Sequence, residues 1–169
     1  VAAAAPQRAV EVIGRKLLTP SGASDHPQPG ERATYRARVR FNREVTDPQF
    51  NFSVTSEEGV PCYGMRTPTG QTWRRFSAGD EIDVDFSFIV NLGGGTYRLG
   101  LKTTTPDNRE VLGDDPVGLI VYIAPRLGSS GFVDLAGSVE VDGRDLTQHE
   151  ELTLSGPKRP RRRRSDVHE

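Results

Sequence analysis

A single cysteine, Cys62, stands among the 169 residues, so the sequence allows no internal disulfide and disfavours a disulfide-stapled secreted domain. Its three histidines lack the spacing of metal ligands, which disfavours a zinc site and a catalytic Cys–His pair. No apolar run approaches the roughly 20 residues that span a bilayer. Residues 1–6 lack the basic and apolar segments of a signal peptide. We therefore expect a cytoplasmic protein with no metal, no cofactor and no catalytic set.

Hydrophobic residues make up only 34% of the sequence, and the deficit lies mostly at its two ends. The 18 glycines and 12 prolines are typical of an all-β protein with many turns. Charge is unevenly distributed: six of the 22 basic residues lie within 158–164, whereas residues 1–157 carry 16 basic and 21 acidic side chains. An acidic body is a poor match for nucleic-acid recognition, so we expect no nucleic-acid partner.

The sequence begins with Val1 rather than Met, and we interpret it as a fragment of a longer polypeptide. Residues 1–7 are the predicted linker, and residues 8–141 are the predicted folded domain. Residues 142–169 have high charge and no aromatic residue, which indicates a disordered tail. Binding of its basic run, 158–164, to nucleic acid or anionic lipid is the less favoured alternative.

The rest of the chain is organised around residues 80–101. From Glu81 to Val90, polar and apolar residues alternate with the period of a half-buried strand. The segment 91–95 supplies residues that tolerate positive φ, and the alternation restarts at Tyr97. The pattern predicts two long strands joined in a hairpin, whose apolar face needs a second layer of structure.

Other alternating segments recur along the chain with turns between them and no helical period. This spacing predicts an all-β fold, an Ig-like antiparallel β-sandwich of about eight strands. The remaining predicted strands are Arg8–Leu18, Gly30–Phe41, Gln49–Ser56, Val60–Arg66, Gln71–Phe76 and Pro116–Ile123, with a weaker candidate at Phe132–Val141.

The charge pattern predicts one pair of neighbouring strands. Segment 30–41 carries a row of outward arginines, and segment 81–90 carries outward Glu81, Asp83 and Asp85. Opposite charges across two strands contribute about 0.2–1 kcal/mol per pair, whereas either row alone would repel itself. We therefore expect these two strands side by side in one sheet. The other sheet would hold Gln49–Ser56, Val60–Arg66, Gly95–Thr104 and Pro116–Ile123.

The outer face of that second sheet is the candidate binding surface. If Leu119, Val121 and Ile123 point inward, Tyr122 points outward among short polar and cationic side chains. Such a surface suits a sugar, because ring C–H groups pack on the aromatic ring while hydroxyls bond to the polar rim. The aromatic residues at 63 and 73 are further candidates, or else core or edge-covering residues. The predicted carbohydrate-binding residues are Asn51, Ser53, Tyr63, Trp73, Arg98, Lys102 and Tyr122.

Two other motifs are weaker. The glycines at 93–95 could form a phosphate-binding loop, but the strand–turn–strand setting favours a simple turn. Asp114 and Asp115 could ligate calcium, but an acidic pair before a proline is more typical of a turn.

Three runs resemble the C-terminal domain of Wzt-type proteins, the ATPase subunits of ABC transporters that export O-antigen and related polysaccharides. These runs are GVPCYGMRTPTG, FSAGDEIDVDFSFIVNLGGGTYRLGLKTTTPD and VYIAPRLGSSGFVDLAGSVEV. The most telling motifs within them are Gly95-Thr96-Tyr97, the stretch Tyr63–Thr67 and the closing stretch Gly131–Leu135. The resemblance covers about residues 8–141, and its motifs are structural rather than catalytic.

The resemblance implies a non-catalytic Ig-like domain that follows a nucleotide-binding domain and binds a nascent, lipid-linked polysaccharide for export. It also implies a location at the inner face of the cell membrane, through the transporter's membrane subunit. Such domains form homodimers, including strand-exchanged ones, and 132–141 would be the candidate for exchange. The alternative function is a protein–protein adaptor that docks a partner on a sheet edge.

Overall fold

The computed structural model describes residues 8–68, 75–126, 130–134, 140–141 and 144–145. The chain divides into two units, Val1–Gly137 and Ser138–Glu169. Within the described residues there is no helix long and apolar enough to cross a membrane. The strands are β1 (Val10–Thr19), β2 (Gly22–Ala23), β3 (Arg32–Phe41), β4 (Val45–Thr46), β5 (Gln49–Ser56), β6 (Pro61–Arg66), β7 (Arg75–Phe76), β8 (Glu81–Ile89), β9 (Gly95–Thr104), β10 (Val111–Asp114), β11 (Leu119–Ile123), β12 (Glu140–Val141) and β13 (Arg144–Asp145).

Two antiparallel sheets form the first unit. The four-stranded sheet has the order β2-β1-β3-β8. The five-stranded sheet has the order β10-β9-β5-β6, and β11 pairs with β9 beyond the end of β10. A short pair, β4 with β7, completes this unit, and β12 pairs with β13 in the second unit. The predicted Ig-like β-sandwich is confirmed, and so is the predicted division of the strands between its two sheets.

The predicted hairpin is wrong. β8 pairs with β3 in one sheet and β9 pairs with β5 in the other, so segment 91–95 carries the chain across the sandwich. The glycines in this segment serve close packing: a Cβ on Gly93 would overlap the carbonyl oxygen of Gly131, and a Cβ on Gly94 would overlap Pro125. A glycine run between two alternating segments is compatible with both connections, and local sequence does not distinguish them.

The predicted pairing of charged rows sets the register between β3 and β8. Arg36 lies opposite Asp85, and its guanidinium donates two hydrogen bonds of 2.8 and 2.6 Å to that carboxylate. The bond from Arg36 is the main cause that lowers the pKa of Asp85. Arg38 and Arg40 reach Glu81 at 3.3 and 2.9 Å in the same row. These pairs lie at the surface, so their effect is to specify register more than to add stability.

The core fills the space between the sheets with residues from their inner faces. Phe52 of β5 lies near its centre, with its ring centroid 5.2 Å from that of Tyr35 and 5.3 Å from that of Phe86. Burial of one such side chain stabilises the fold by about 1.5–3 kcal/mol. The largest fully buried side chains are Tyr35, Tyr97, Phe41, Phe50, Phe52, Phe76, Leu17, Leu99, Leu101, Ile123, Val10 and Val39.

A bulge in β1 creates an ion pair between the two sheets. The register with β3 shifts between Val12 and Gly14, so Arg15 turns toward the sandwich edge. Its guanidinium donates two 2.8 Å hydrogen bonds to Asp115, which follows β10 in the opposite sheet. The Asp115 side chain is only 4% exposed and the Arg15 side chain 27%. This bidentate pair therefore joins the sheets along one edge.

Several predicted segments differ from the structure or lie outside it. Strand β10 follows the predicted turn at 106–108 and has no counterpart among the predicted strands. Of the predicted strand Gln71–Phe76, residues 71–74 are outside the described residues and the last two form β7. The predicted linker, most of the predicted strand at 132–141 and most of the predicted tail are also outside them.

Tyr35→Phe removes a buried hydroxyl that has no hydrogen-bond partner among the described residues. Burial, with a smaller contribution from Asp115, raises the pKa of Tyr35 to about 12. The unfolded chain ionises this tyrosine near pH 10, so the free energy of unfolding falls as pH rises from about 10 to 12. We expect the variant to be as stable as the parent or more stable at pH 7, and to lose less stability over that pH range. Urea denaturation at several pH values tests this. The expectation is contradicted if both proteins lose the same free energy of unfolding as the pH rises from about 10 to 12.

Asp115→Asn removes the charge that holds Arg15 and leaves a half-buried guanidinium without its carboxylate. Because Arg15 retains some contact with water, we expect a loss of about 2 kcal/mol, less than for a fully buried pair. Glu110→Gln is the matched control, since its pair with Arg43 is exposed on both sides and contributes about 0–1 kcal/mol. Equal losses in the two variants, measured by chemical denaturation, would show that the inter-sheet pair has no special role.

Candidate functional site

The outer face of the five-stranded sheet is arranged in rows, because residues paired across antiparallel strands point to the same side. The two flanking rows carry long or polar side chains, whereas the middle row carries only a hydroxymethyl group and two hydrogen atoms. A trough therefore crosses the strands along the middle row. The rows are Asp114–Lys102–Asn51–Arg66, then Gly100–Ser53–Gly64, then Ile120–Arg98–Thr55.

The trough opens into a cavity of about 340 Å³ where β9 approaches the connection between β10 and β11. Three predicted residues, Ser53, Arg98 and Lys102, line it. Gly100 forms part of its floor: a Cβ there would meet the Ser53 hydroxyl at 3.4 Å. The other lining residues are Thr55, Leu101, Asp114, Asp115 and Pro116.

Arg98 is held in place along one wall of the cavity. Its aliphatic stem packs so closely on Gly118 that a Cβ there would lie 2.6 Å from the Arg98 Cγ. Its Nη1 atom donates to the carbonyl oxygen of Pro116 at 3.5 Å. The φ of Gly118 is +64°, a conformation that favours glycine, so a side chain is disfavoured there on both counts. The β10–β11 connection therefore fixes the direction of the Arg98 side chain.

Asn51 lies beside the cavity rather than in its lining. Its amide nitrogen donates to the carbonyl oxygens of Gln49 and Lys102 and to the Thr104 hydroxyl, each at 3.3 Å. The amide group thus ties β5 to β9 at one end of the trough.

The two outer faces of the sandwich differ in charge pairing. On the four-stranded sheet, the central arginines of β3 bond to carboxylates of β8, as described above. On the five-stranded sheet, Arg66, Arg98 and Lys102 form no ion pair with any described residue. The second face is therefore the one whose cations are available to a ligand.

Tyr122 points outward as predicted. Val121 and Ile123 are buried, and the Tyr122 side chain is 45% exposed. It lies opposite Thr96 of β9, two residues along from Arg98, and its ring meets that of His26 edge-on with centroids 5.8 Å apart. Tyr122 is on the predicted face but beyond the lining residues of the cavity.

Of the other two aromatic candidates, Tyr63 does not join this group. Tyr63 of β6 pairs with buried Val54, so it points to the core side of the sheet. Its ring meets Phe52 edge-on at 6.5 Å and remains 47% exposed at the open edge of the sandwich. This is the edge-covering role that the sequence left open as its alternative. Trp73 lies outside the described residues.

The sequence did not indicate the part of the cavity wall that follows β10. Asp114 and Asp115 were interpreted as turn residues, whereas Asp114 lines the cavity and Asp115 binds Arg15. Gly14 was a usable signal for this arrangement, since a glycine inside a strand pattern often marks a bulge that redirects the next side chain. No group of three or more His, Cys, Asp or Glu side chains in the described part of the chain could hold a metal ion.

A second, smaller cavity of about 210 Å³ lies at the other end of β9, near the chain crossing. Glu57, Glu58 and Thr96 line it together with glycine backbone and Phe132. The Ser56 hydroxyl bonds to Glu58 at 2.7 Å and lowers the pKa of that carboxyl group. This cavity is acidic, in contrast to the cation-bearing trough.

Comparison with known proteins identifies the fold. A crystal structure of the C-terminal domain of Wzt superposes with a TM-score of 0.68, covering 80% of this chain and 85% of that chain. At 18% sequence identity, this likeness shows the fold alone. A comparison with curated proteins finds no match. The family model of the Wzt C-terminal domain matches residues 7–112, which is more than half of the sequence. The chain therefore belongs to the Wzt C-terminal domain family.

Proposed function

We propose that this domain binds a polysaccharide in the trough of the five-stranded sheet and performs no chemistry on it. The observation that carries the proposal is the cavity with a side-chain-free floor at Gly100 and unpaired cations at Arg98 and Lys102. Membership of the Wzt family supports the setting, a domain of an ABC transporter subunit concerned with polysaccharide export.

The trough has the polar groups that a sugar needs. Sugar hydroxyls both donate and accept hydrogen bonds, and the cavity offers a hydroxyl at Ser53, donors at Arg98 and Lys102 and an acceptor at Asp114. The absent side chain at Gly100 lets a ring approach the sheet closely. Tyr122, farther along the same face, offers a partly exposed ring on which a neighbouring sugar would pack.

The carboxylates in the cavity do not form the pair that glycoside hydrolysis uses. That reaction needs one carboxyl group as acid and a second as base or nucleophile, both facing the scissile bond. Asp115 is engaged in two hydrogen bonds from Arg15 at the sandwich edge, which leaves Asp114 as the one unengaged carboxylate among the described lining residues. The arrangement favours binding over catalysis.

For the parent polypeptide, we infer that residues 1–7 link this domain to a preceding ATPase domain and that residues 142–169 form a charged tail. The domain would act at the inner face of the cell membrane, on a lipid-linked glycan delivered to the transporter's membrane subunit. Homodimerisation, with or without exchange of the strand at 132–141, belongs to the same proposal. Family membership supports the preceding ATPase domain and the transporter setting, and the charge of residues 142–169 supports the tail.

Gly100→Ala tests the trough directly. The added methyl group would stand on the cavity floor at ordinary contact distance from Ser53, so we expect an unchanged fold and polysaccharide binding weakened at least about tenfold by steric exclusion. Ser87→Ala is the control, because it changes one small, exposed side chain on the outer face of the other sheet. Binding is measured on an array of bacterial surface polysaccharides and then by calorimetry on any glycan that binds.

Equal affinity of the two alanine variants would place the binding site elsewhere. If the parent protein binds no glycan on the array but binds a protein partner tightly, the adaptor function is favoured instead.

Tyr122→Ala tests whether the aromatic ring extends the site beyond the cavity. Loss of stacking on one sugar is expected to weaken binding by about two- to tenfold, with little effect on thermal stability because the ring is half exposed. Val111→Ala, at an exposed apolar residue of β10, is the control for a general surface effect. Full binding by Tyr122→Ala would limit the site to the trough.

A further inference from the structure

We infer that the polysaccharide bound in the trough is acidic, carrying a carboxylate or phosphate group that lies between Arg98 and Lys102. This inference rests on the proposed function and adds the chemical class of its ligand. The two cations lie on the same face of β9, four residues apart, with Gly100 midway between them. At about 3.3 Å per residue their Cα atoms are about 13 Å apart, which leaves room for a sugar between two long side chains.

The positive charge of this site is not cancelled from within. Asp115 is neutralised by Arg15, and Asp114 is the remaining carboxylate among the described lining residues. Arg98 and Lys102 therefore leave the cavity with a net charge of +1. Glu57 and Glu58 line the other cavity and are not among the lining residues of this one.

The contrast with the four-stranded sheet makes this charge informative. There, the three central arginines of β3 each have a carboxylate opposite them, whereas Arg32 of the same face lies opposite Ile89. Residues opposite Arg98 on the neighbouring strands are Thr55 and Ile120, neither of which is charged. Lys102 lies opposite Asp114 of β10, so Arg98 is the lining cation with no carboxylate opposite it, and an anionic sugar would supply the charge that Arg98 lacks.

Arg98 is also prepared for an anion. Its stem packs against Gly118 and its guanidinium lies 3.5 Å from the Pro116 carbonyl oxygen, so the side chain already lies along the cavity wall. A guanidinium held in a fixed direction suits the planar, two-point recognition of carboxylate or phosphate.

The test uses the whole 169-residue chain on an array of bacterial polysaccharides in paired forms. Acidic glycans are printed in their native form and after carboxyl reduction, and phosphorylated ones before and after removal of phosphate. We expect binding to at least one native acidic glycan, at least a tenfold loss when its charge is removed, and weaker binding as salt rises from 50 to about 500 mM. Comparison of the carboxyl-reduced with the dephosphorylated glycans shows whether carboxylate or phosphate is recognised.

The matched variants are two double substitutions that remove the same charge. Arg98→Gln with Lys102→Gln is expected to lower affinity for the acidic glycan by at least about tenfold. Arg43→Gln with Arg109→Gln changes two exposed arginines that do not line the cavity, and we expect less than about twofold loss. Circular dichroism confirms that each variant is folded.

The outcomes separate the two proposals. Binding that is equally strong to charged and neutralised glycans, and insensitive to the trough substitutions but lost in Gly100→Ala, would overturn the acidic ligand and retain the glycan site. Equal losses in both double variants would also overturn it, because net charge rather than position would then govern binding. No binding to any glycan would overturn the proposed function itself.

Discussion

The pairing of β3 with β8 is the interaction on which the rest of this structure depends. Its charge matching specifies one register, because a slip by one residue would turn Tyr35, Val39 and Phe86 away from the core. Because β8 lies in the four-stranded sheet, β9 buries its apolar face by crossing to the five-stranded sheet. The crossing in turn needs a segment with almost no side chains, which the glycines at 93–95 provide.

The same pairing decides which surface of the sandwich is open to a ligand. On the outer face of the four-stranded sheet, it joins the central arginines of β3 to carboxylates of β8. These ion pairs are exposed, and each contributes little to stability. On the five-stranded sheet, Asp114 lies opposite Lys102, but neither Arg66 nor Arg98 has a carboxylate opposite it. The middle row of this sheet, Gly100, Ser53 and Gly64, forms a trough instead of a ridge. The trough therefore lies on the face where Arg66 and Arg98 have no carboxylate opposite them, whereas the central arginines of the other face are paired.

The edge contact between Arg15 and Asp115 connects stability to the site. It ties the bulged strand β1 to the residue that follows β10, and Asp115 and Pro116 are part of the cavity wall. The wall holds Arg98 through Gly118 and the Pro116 carbonyl. A pair that joins two sheets thus also positions a side chain of the proposed binding site.

Some predictions followed from the sequence because they depend on local periodicity and on charge. Alternation determined the all-β class and most strand bounds, and the two charged rows determined a correct pair of neighbouring strands. Face assignment placed Ser53, Arg98 and Lys102 together and turned Tyr122 outward. The same reasoning gave no direction for Tyr63, because a strand at the edge of a sandwich can leave its core-side residue half exposed.

Other features were decided only by tertiary structure. Whether the glycines at 93–95 close a hairpin or cross the sandwich depends on Pro125 and Gly131, which lie far along the chain and pack against them. Likewise, the sequence predicts only a turn at Asp115. In the structure, the bulge at Gly14 brings Arg15 to this carboxylate. The sequence by itself determined which residues alternate and which charges must meet. The tertiary structure decided where the chain crosses and where a cavity opens, because both depend on contacts between residues distant in sequence.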